Sequence, residues 1–279
     1  MMITNPVPLD IRSILRQAEI KPSKGLGQNF LSDPQILTRI VDAAHLTPSD
    51  HVLEVGPGLG SLTRFLAVSA GEVTAVELDR KLFPLLTYHM QPYPNVHLIQ
   101  GDILELEPEK LMGKSGYPVV ANIPYYITSA LLRHLLESNC QPSRLILTVQ
   151  QEVARRICAQ AGDMSLLALS IQVYGQPDIL FKIPAGAFYP PPRVDSAVLS
   201  ITLFSQPVIP VERIDLFFKI IKAGFSQKRK TLRNSLSSGL HIAPALVEAR
   251  LQQAGIDPQR RAEALSLPEW NAIITRLED

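Results

Sequence analysis

Cysteine is almost missing from this chain: Cys140 and Cys158 are the two in 279 residues. Neither keeps metal-ligand spacing to a histidine pair. The sequence therefore offers no frame for a zinc module or a disulfide scaffold, and buried thiols in a reducing compartment are expected. Long apolar runs are missing too, and none approaches a membrane span. Residues 1–10 mix prolines with polar residues and lack the basic-then-apolar order of a secretion signal, so a cytoplasmic protein with no membrane partner is expected. Nor does either charge dominate. Lys and Arg total 27 against 26 Asp and Glu, a formal charge of +1, so any grip on nucleic acid must come from local patches. Internal repeats and low-complexity tracts are absent. What is present, 46% hydrophobic and 19% charged residues, suits a globular chain of one large domain or one domain with a smaller companion.

The most informative stretch is Val119-Val120-Ala121-Asn122-Ile123-Pro124-Tyr125-Tyr126. It starts as a buried strand and stops at a side-chain amide, a proline and two tyrosines. Pro124 has no N–H and disfavours helix at Ile123, so the chain must turn there with carbonyls exposed. An amide oxygen and carbonyls that accept from an amino group, beside a phenol ring that stacks, suit a flat nitrogenous base. An ordinary strand-to-loop junction with an aromatic plug would read the same way.

Around that stretch the apolar pattern predicts strands over 51–55, 72–76, 96–99, 118–121 and 144–149. They alternate with helices over 11–20, 34–44, 61–70, 80–89 and 130–137, and a further helix carries Glu152, Arg155 and Arg156. Ser32 or Asp33 is placed to cap the second helix, with Pro34 in its first turn. Such alternation specifies an α/β fold, a Rossmann-like parallel sheet with helices on both faces. Every polar cluster falls just after a strand, where open α/β sheets bind ligands. From Leu166 onward the pattern changes: residues 169–174 and 198–203 alternate as antiparallel strands should. A stiff proline-bearing loop, 188–196, lies between them, and past Gln206 the sequence reads helical to its end. The domain boundary is drawn there, 1–205 forming the sheet domain and 206–279 a small C-terminal helical domain.

Gly56, Gly58 and Gly60 follow the first strand as G-x-G-x-G, with Glu54 inside the strand before them. A dinucleotide fingerprint spaces its glycines G-x-G-x-x-G, and no Lys-Ser/Thr follows as in a nucleoside triphosphatase. The loop fits S-adenosylmethionine enzymes better, since glycine lets backbone approach the cofactor without a Cβ clash. Glu77, ending the second strand, is placed to accept from both ribose hydroxyls, as an acidic residue would in an NAD enzyme too. Asp102 after the third strand fits an adenine amino group, or a turn cap. The proton-relay pair that an NAD oxidoreductase needs is not found.

With these elements in order, the chain resembles the ribosomal RNA adenine N6,N6-dimethyltransferase family, in its bacterial KsgA-type small-subunit form, over nearly its whole length. Gly27-Gln28-Asn29-Phe30-Leu31 matches the family's cofactor-contacting segment, which makes Asn29 and Leu31 cofactor residues with Gly56, Gly58, Glu77, Asp102 and Asn122. Phe188-Tyr189-Pro190-Pro191-Pro192-Arg193-Val194-Asp195-Ser196 matches its F-x-P-x-P-x-V-x-S loop, and Phe225 to Asn234 its C-terminal signature. Ile123 stands where leucine is usual, Gln151 where lysine is expected, and 161–166 lacks a tyrosine-glycine. These departures touch local contacts rather than chemistry.

The resemblance implies S-adenosylmethionine as cofactor and dimethylation of two adjacent adenosines in the 3′-terminal hairpin loop of 16S rRNA. The partner is the small ribosomal subunit or its precursor, late in assembly, and the C-terminal domain binds RNA or ribosome. The chain is expected to be a monomer with no metal. The other readings are a large-subunit rRNA adenine methyltransferase and a non-catalytic assembly factor. DNA adenine methylation is disfavoured, because those enzymes place two prolines before the aromatic. In the implied chemistry the Asn122 oxygen and a carbonyl at Ile123 or Pro124 hold the target amine. Tyr125 stacks on one face of the base, the resemblance suggests Phe188 for the other, and Tyr126 is left as a packing residue. Lys228, Arg229, Lys230 and Arg233 are the RNA patch, with Arg155, Arg156, Arg260 and Arg261 behind it, unless the run is a solvated helix face.

Overall fold

The structure is a computed structural model that describes residues 6–278. Residues 1–5, half of the stretch read for a secretion signal, lie outside the described residues. Nine strands are described: β1 (Phe30–Leu31), β2 (His51–Val55), β3 (Glu72–Glu77), β4 (Val96–Gln100), β5 (Pro118–Asn122), β6 (Arg144–Gln150), β7 (Gly175–Ile183), β8 (Phe188–Tyr189) and β9 (Ser196–Leu203). Seven form one sheet in the order β4-β3-β2-β5-β6-β9-β7, while β1 pairs with β8 apart from it. Strands β4, β3, β2, β5 and β6 run parallel, and β9 returns antiparallel to β6 with Arg144 opposite Thr202 and Gln150 opposite Ser196. From β2 the chain steps outward through β3 and β4, then returns to place β5 on the other side of β2. The winding reverses between β2 and β5, and such a switch point opens a crevice at the strands' carboxyl ends.

The central strands are apolar on both faces, as a covered parallel sheet requires. Val52, Val73, Val120, Ile146, Val198 and Ile183 supply one face of the core. Leu37 and Ile40 from the helix Pro34–Ala43, and Phe65 and Leu66 from the helix Ser61–Ser69, join the same cluster. Asp33 caps the helix Pro34–Ala43, its carboxylate accepting from Gln35 N at 2.9 Å and Ile36 N at 3.2 Å. A second cluster joins Ile11 and Leu15 of the helix Ile11–Gln17 to Phe30, Leu59 and Leu82.

Two compact units result. The first comprises residues 1–154 and 178–203, the second residues 155–177 and 204–279. The expected boundary at Gln206 stands near the second division, but 155–177 belongs with the C-terminal helices. The cause is a misread element: 169–174 lies not in a strand but in and just after the helix Leu166–Gln172. Ser165 caps it by accepting from Ala168 N at 3.1 Å. Its buried Ala168, Leu169 and Ile171 form a helical stripe, whose i, i+2 component imitates strand alternation. The helix packs against the helix Ile214–Phe225 within the second unit. That unit also holds the helices Leu232–Leu240, Pro244–Gln253 and Leu267–Glu278, and its core includes the fully buried Trp270, whose ring lies 5.9 Å from that of Phe225.

Candidate active site

The carboxyl ends of β2, β3, β4 and β5 surround a cavity of about 190 Å³. Its walls are acidic. Glu54, inside β2, is 1% exposed, and its Oε2 has no hydrogen-bond partner among the described residues. Burial pushes its carboxyl up to about 8; the Thr63 hydroxyl eases that shift slightly and the neighbouring Glu77 adds to it. Among the described residues Thr63 Oγ1 is likewise without a partner, so it helps as a nearby dipole rather than through a formed hydrogen bond. Glu77 is buried as well. Burial pushes its carboxyl up, while backbone amides hold it down: Oε1 accepts from Asp79 N at 2.7 Å and Oε2 from Gly58 N at 2.9 Å. A carboxylate oxygen accepts twice, which leaves capacity on both.

The glycine loop makes room for whatever enters. Gly56, Gly58 and Gly60 have φ of +70°, +61° and +86°. A Cβ on Gly58 would stand 2.9 Å from Phe30 Cε1. Across the cavity, Gln28 ties the segment that carries Asn29 and Leu31 to the end of β3, donating from Nε2 to Asp79 Oδ2 at 2.6 Å. Leu31 and Asn29 both line the cavity. Asp102 is there too, with Oδ1 accepting from Leu104 N at 2.9 Å. This is the turn cap considered for it above, and it leaves Oδ2 for a ligand.

Asn122 ends β5 at the edge of this cavity. Its Nδ2 donates to Asn29 O at 3.1 Å. A backbone carbonyl is matched only by the NH₂ end of an amide, so the orientation is determined and Oδ1 is the acceptor left to a substrate. Beyond it, Pro124 O accepts from Ile127 N at 3.2 Å and closes the short turn Tyr125–Ile127. Of the two carbonyls considered, Pro124's is already engaged once. Tyr125 is fastened through its hydroxyl to Ser196 Oγ at 2.7 Å. Burial pushes its phenol up and that hydrogen bond partly offsets the shift.

A residue expected at the target base sits away from the cavity, and one expected to be packed is exposed. Phe188 does not line the cavity: it is 4% exposed, stands opposite Leu31 in the β1–β8 ladder, and belongs to the sheet core. The ladder joins the loop 188–196 to the segment that bears Asn29. Tyr126, expected to be packed, is instead 57% exposed and on the cavity wall. A 3₁₀ turn after Pro124, rather than a helix entered directly, sends the two tyrosines in different directions.

The basic groups of the second unit divide. Lys228, Arg229 and Lys230 are exposed, as are Arg155, Arg156 and Arg261. Arg233 instead pairs with Glu248 at 2.9 Å. Arg260 is bound by Glu269 and the Ala264 carbonyl, and that pairing holds the Glu269 carboxyl down at about 2. The charges of Arg233 and Arg260 are thus largely spent on their own unit.

Several site features had no role assigned from sequence. Glu54 carries the clearest signal, a carboxylate inside an otherwise apolar strand. Gln28 and Ser196 act through contacts more than fifty residues away in sequence, and Phe30 through its approach to Gly58, none of which a local pattern encodes.

Chemically, the site presents two buried carboxyls, one with an oxygen unpartnered. That is costly without a counter-charge, and a cationic ligand supplies one. S-adenosylmethionine, with its sulfonium and ammonium, fits this donor set and the glycine-lined approach.

Comparison with known proteins places the chain among enzymes of this chemistry. The family model "Ribosomal RNA adenine dimethylase" matches residues 20–279. A "Ribosomal RNA small subunit methyltransferase A" of Dehalococcoides mccartyi (strain CBDB1) is 49% identical over 256 residues, covering 91% of this chain and 88% of that protein. Among solved structures, the 23S rRNA methyltransferase ErmE superposes with a TM-score of 0.73 at 29% identity, covering 90% of this chain and 100% of its own. A dimethyladenosine transferase from Plasmodium falciparum shares the fold, with a TM-score of 0.74 at 23% identity over 89% of this chain and 97% of that one.

Proposed function

This chain belongs to the ribosomal RNA adenine dimethylase family, and from that premise we propose that its substrate is two adjacent adenosines in the 3′-terminal hairpin loop of 16S rRNA. The enzyme is an S-adenosylmethionine-dependent rRNA methyltransferase, and on this reading it adds two methyl groups to each N6, on the small subunit or its precursor late in assembly.

Asn122 is the observation that carries the reading. Because its NH₂ is committed to Asn29 O, its oxygen faces substrate as a hydrogen-bond acceptor. The exocyclic amine of adenine is a poor nucleophile, its lone pair being drawn into the ring. Acceptors on its two N–H groups, Asn122 Oδ1 and a carbonyl at Ile123 or Pro124, pull the nitrogen toward tetrahedral geometry and free that pair. As nitrogen takes the methyl and S-adenosylhomocysteine would leave, positive charge develops on nitrogen, so these preorganised acceptors stabilise the transition state more than the ground state, and the N–H made acidic by that charge would then be given up to solvent. Bound S-adenosylmethionine supplies a methyl already activated by its sulfonium. Tyr125, fixed by Ser196, offers a ring on which a base swung out of its stack can rest. Glu54, Glu77 and Asp102, with Asn29, Leu31 and the glycine loop, hold the cofactor.

On the same reading the second unit binds RNA through Lys228, Arg229 and Lys230. The protein works in the cytoplasm as a monomer. It needs no metal, since the methyl donor arrives activated. The test is mass spectrometry of digested rRNA after incubation with unmethylated small-subunit particles. Up to two methyls per adenine in 16S rRNA are expected, and none with Asn122→Ala, which still binds cofactor. Methyl found in 23S rRNA alone, or nowhere, overturns the proposal.

A further inference from the structure

The mechanism above leaves Tyr126 without a task, although it is the cavity's most exposed aromatic ring. Tyr125 and Tyr126 are adjacent in sequence but serve opposite sides of β5. Tyr125 reaches Ser196 at the start of β9, on the side of the sheet that holds β6 and β9. Tyr126 faces the other side, where β2, β3 and β4 end. Its ring lies over Gly27: a Cβ built there would be 3.4 Å from Tyr126 Cδ1 and 3.7 Å from Cε1, and Gly27 has φ +61°. Its phenol is pushed up first by burial and then by the carboxylates of Asp102 and Glu77, which therefore lie within electrostatic reach. Unlike Tyr125, its hydroxyl makes no hydrogen bond to a described residue.

A large aromatic surface left half in water at a cavity rim loses the burial that normally holds such a ring in place. Here it is bounded by a glycine, on which no side chain competes for the space, and by the two carboxylates suited to a ribose and an adenine amino group. We propose that Tyr126 is an adenosine-holding residue, its ring closing over the purine of the bound cofactor from the Gly27 side. Tyr125 is thereby left to the target base, and the two rings divide the two adenines between them. This assignment rests on the cofactor reading of the cavity and adds a wall to it.

The experiment is calorimetric binding of S-adenosylhomocysteine and of methylthioadenosine, which lacks the amino-acid end, to the full chain and its Tyr126→Ala and Tyr126→Phe variants. Tyr126→Ala is expected to weaken both ligands by the same factor, about tenfold, which is within the range for an aromatic ring stacked on a base. Tyr126→Phe should stay within about twofold of the parent, because the ring rather than the hydroxyl makes the contact. An unliganded melting temperature shared by the three proteins is the folding control, and the ring's exposure makes that outcome the expected one. Unchanged affinity in Tyr126→Ala overturns the proposal. So does a loss for S-adenosylhomocysteine that methylthioadenosine does not share, or unchanged cofactor affinity combined with weakened binding of small-subunit particles. Failure of the parent chain to bind either ligand would instead sink the cofactor reading beneath it.

Discussion

Glu54 concentrates the energetics of the site in one side chain. Its ordinary value is 4.5, and in the fold it is pushed up to about 8, so the native state holds the proton more tightly than the unfolded chain between those values. Its contribution to stability is therefore present below about pH 4.5 and is lost as pH rises through about 8, by on the order of a few kcal/mol. Urea midpoints measured at pH 5, 6.5 and 8 are expected to fall across that window. Glu54→Gln, which keeps the shape without the charge, should flatten the fall; an identical decline in both proteins would show that other groups cause it. The same substitution should weaken S-adenosylhomocysteine binding at pH 8 by removing an acceptor and a counter-charge. Asn122 is legible from sequence as a residue but not as an oriented group. Which end of its amide faces substrate follows from Asn29 O, ninety-three residues away.

Among the elements, the glycine loop makes the sharpest demand. Gly58 sits at φ +61°, its N–H holds Glu77 Oε2 at 2.9 Å, and the Phe30 ring closes the space where a Cβ would go. Gly58→Ala combines backbone strain with a steric clash, at an expected cost of about 1–3 kcal/mol. It should also lower cofactor affinity, since the loop can relax only by releasing Glu77. Thermal melting and calorimetry on the one variant check both, and wild-type values would mean that Phe30 moves aside freely. The β1–β8 ladder shows why the proline-bearing loop carries Phe188. Register places Phe188 opposite Leu31 and Tyr189 opposite Phe30, so a motif that reads as substrate contact also docks the loop. Two-residue strands of this kind leave no periodicity to detect. The helix Leu166–Gln172 is the opposite failure: its apolar spacing satisfies both periods, and the Ser165 cap decides between them.

At the scale of the whole molecule, a formal charge of +1 means that RNA binding must be carried by a patch. On the proposed reading that patch is Lys228, Arg229 and Lys230 in the second unit, since Arg233 is paired with Glu248. Lys228→Ala with Arg229→Ala should therefore weaken binding to small-subunit particles and reduce the salt slope by about 1–2. Arg233→Ala should change that slope less. Equal slopes in parent and double variant would return the run to the solvated helix face. The division of labour between sequence and fold follows from the range of the interactions involved. Strand and helix alternation, the glycine spacing, and the acidic or amide residue ending each strand are encoded within a few neighbouring residues, so the α/β class and the cofactor chemistry could be read directly, and with them the strand ends around which the candidate site lies. Everything that depended on a distant partner could not. The burial of Phe188, the spent charges of Arg233 and Arg260, the uncompensated carboxyl of Glu54 and the opposite headings of Tyr125 and Tyr126 were decided only when the chain folded. Phe188 meets Leu31 and Tyr125 meets Ser196 far away in sequence, whereas Arg233 and Arg260 meet acidic partners 15 and 9 residues on, which the packing of the helices rather than any local pattern brings within reach.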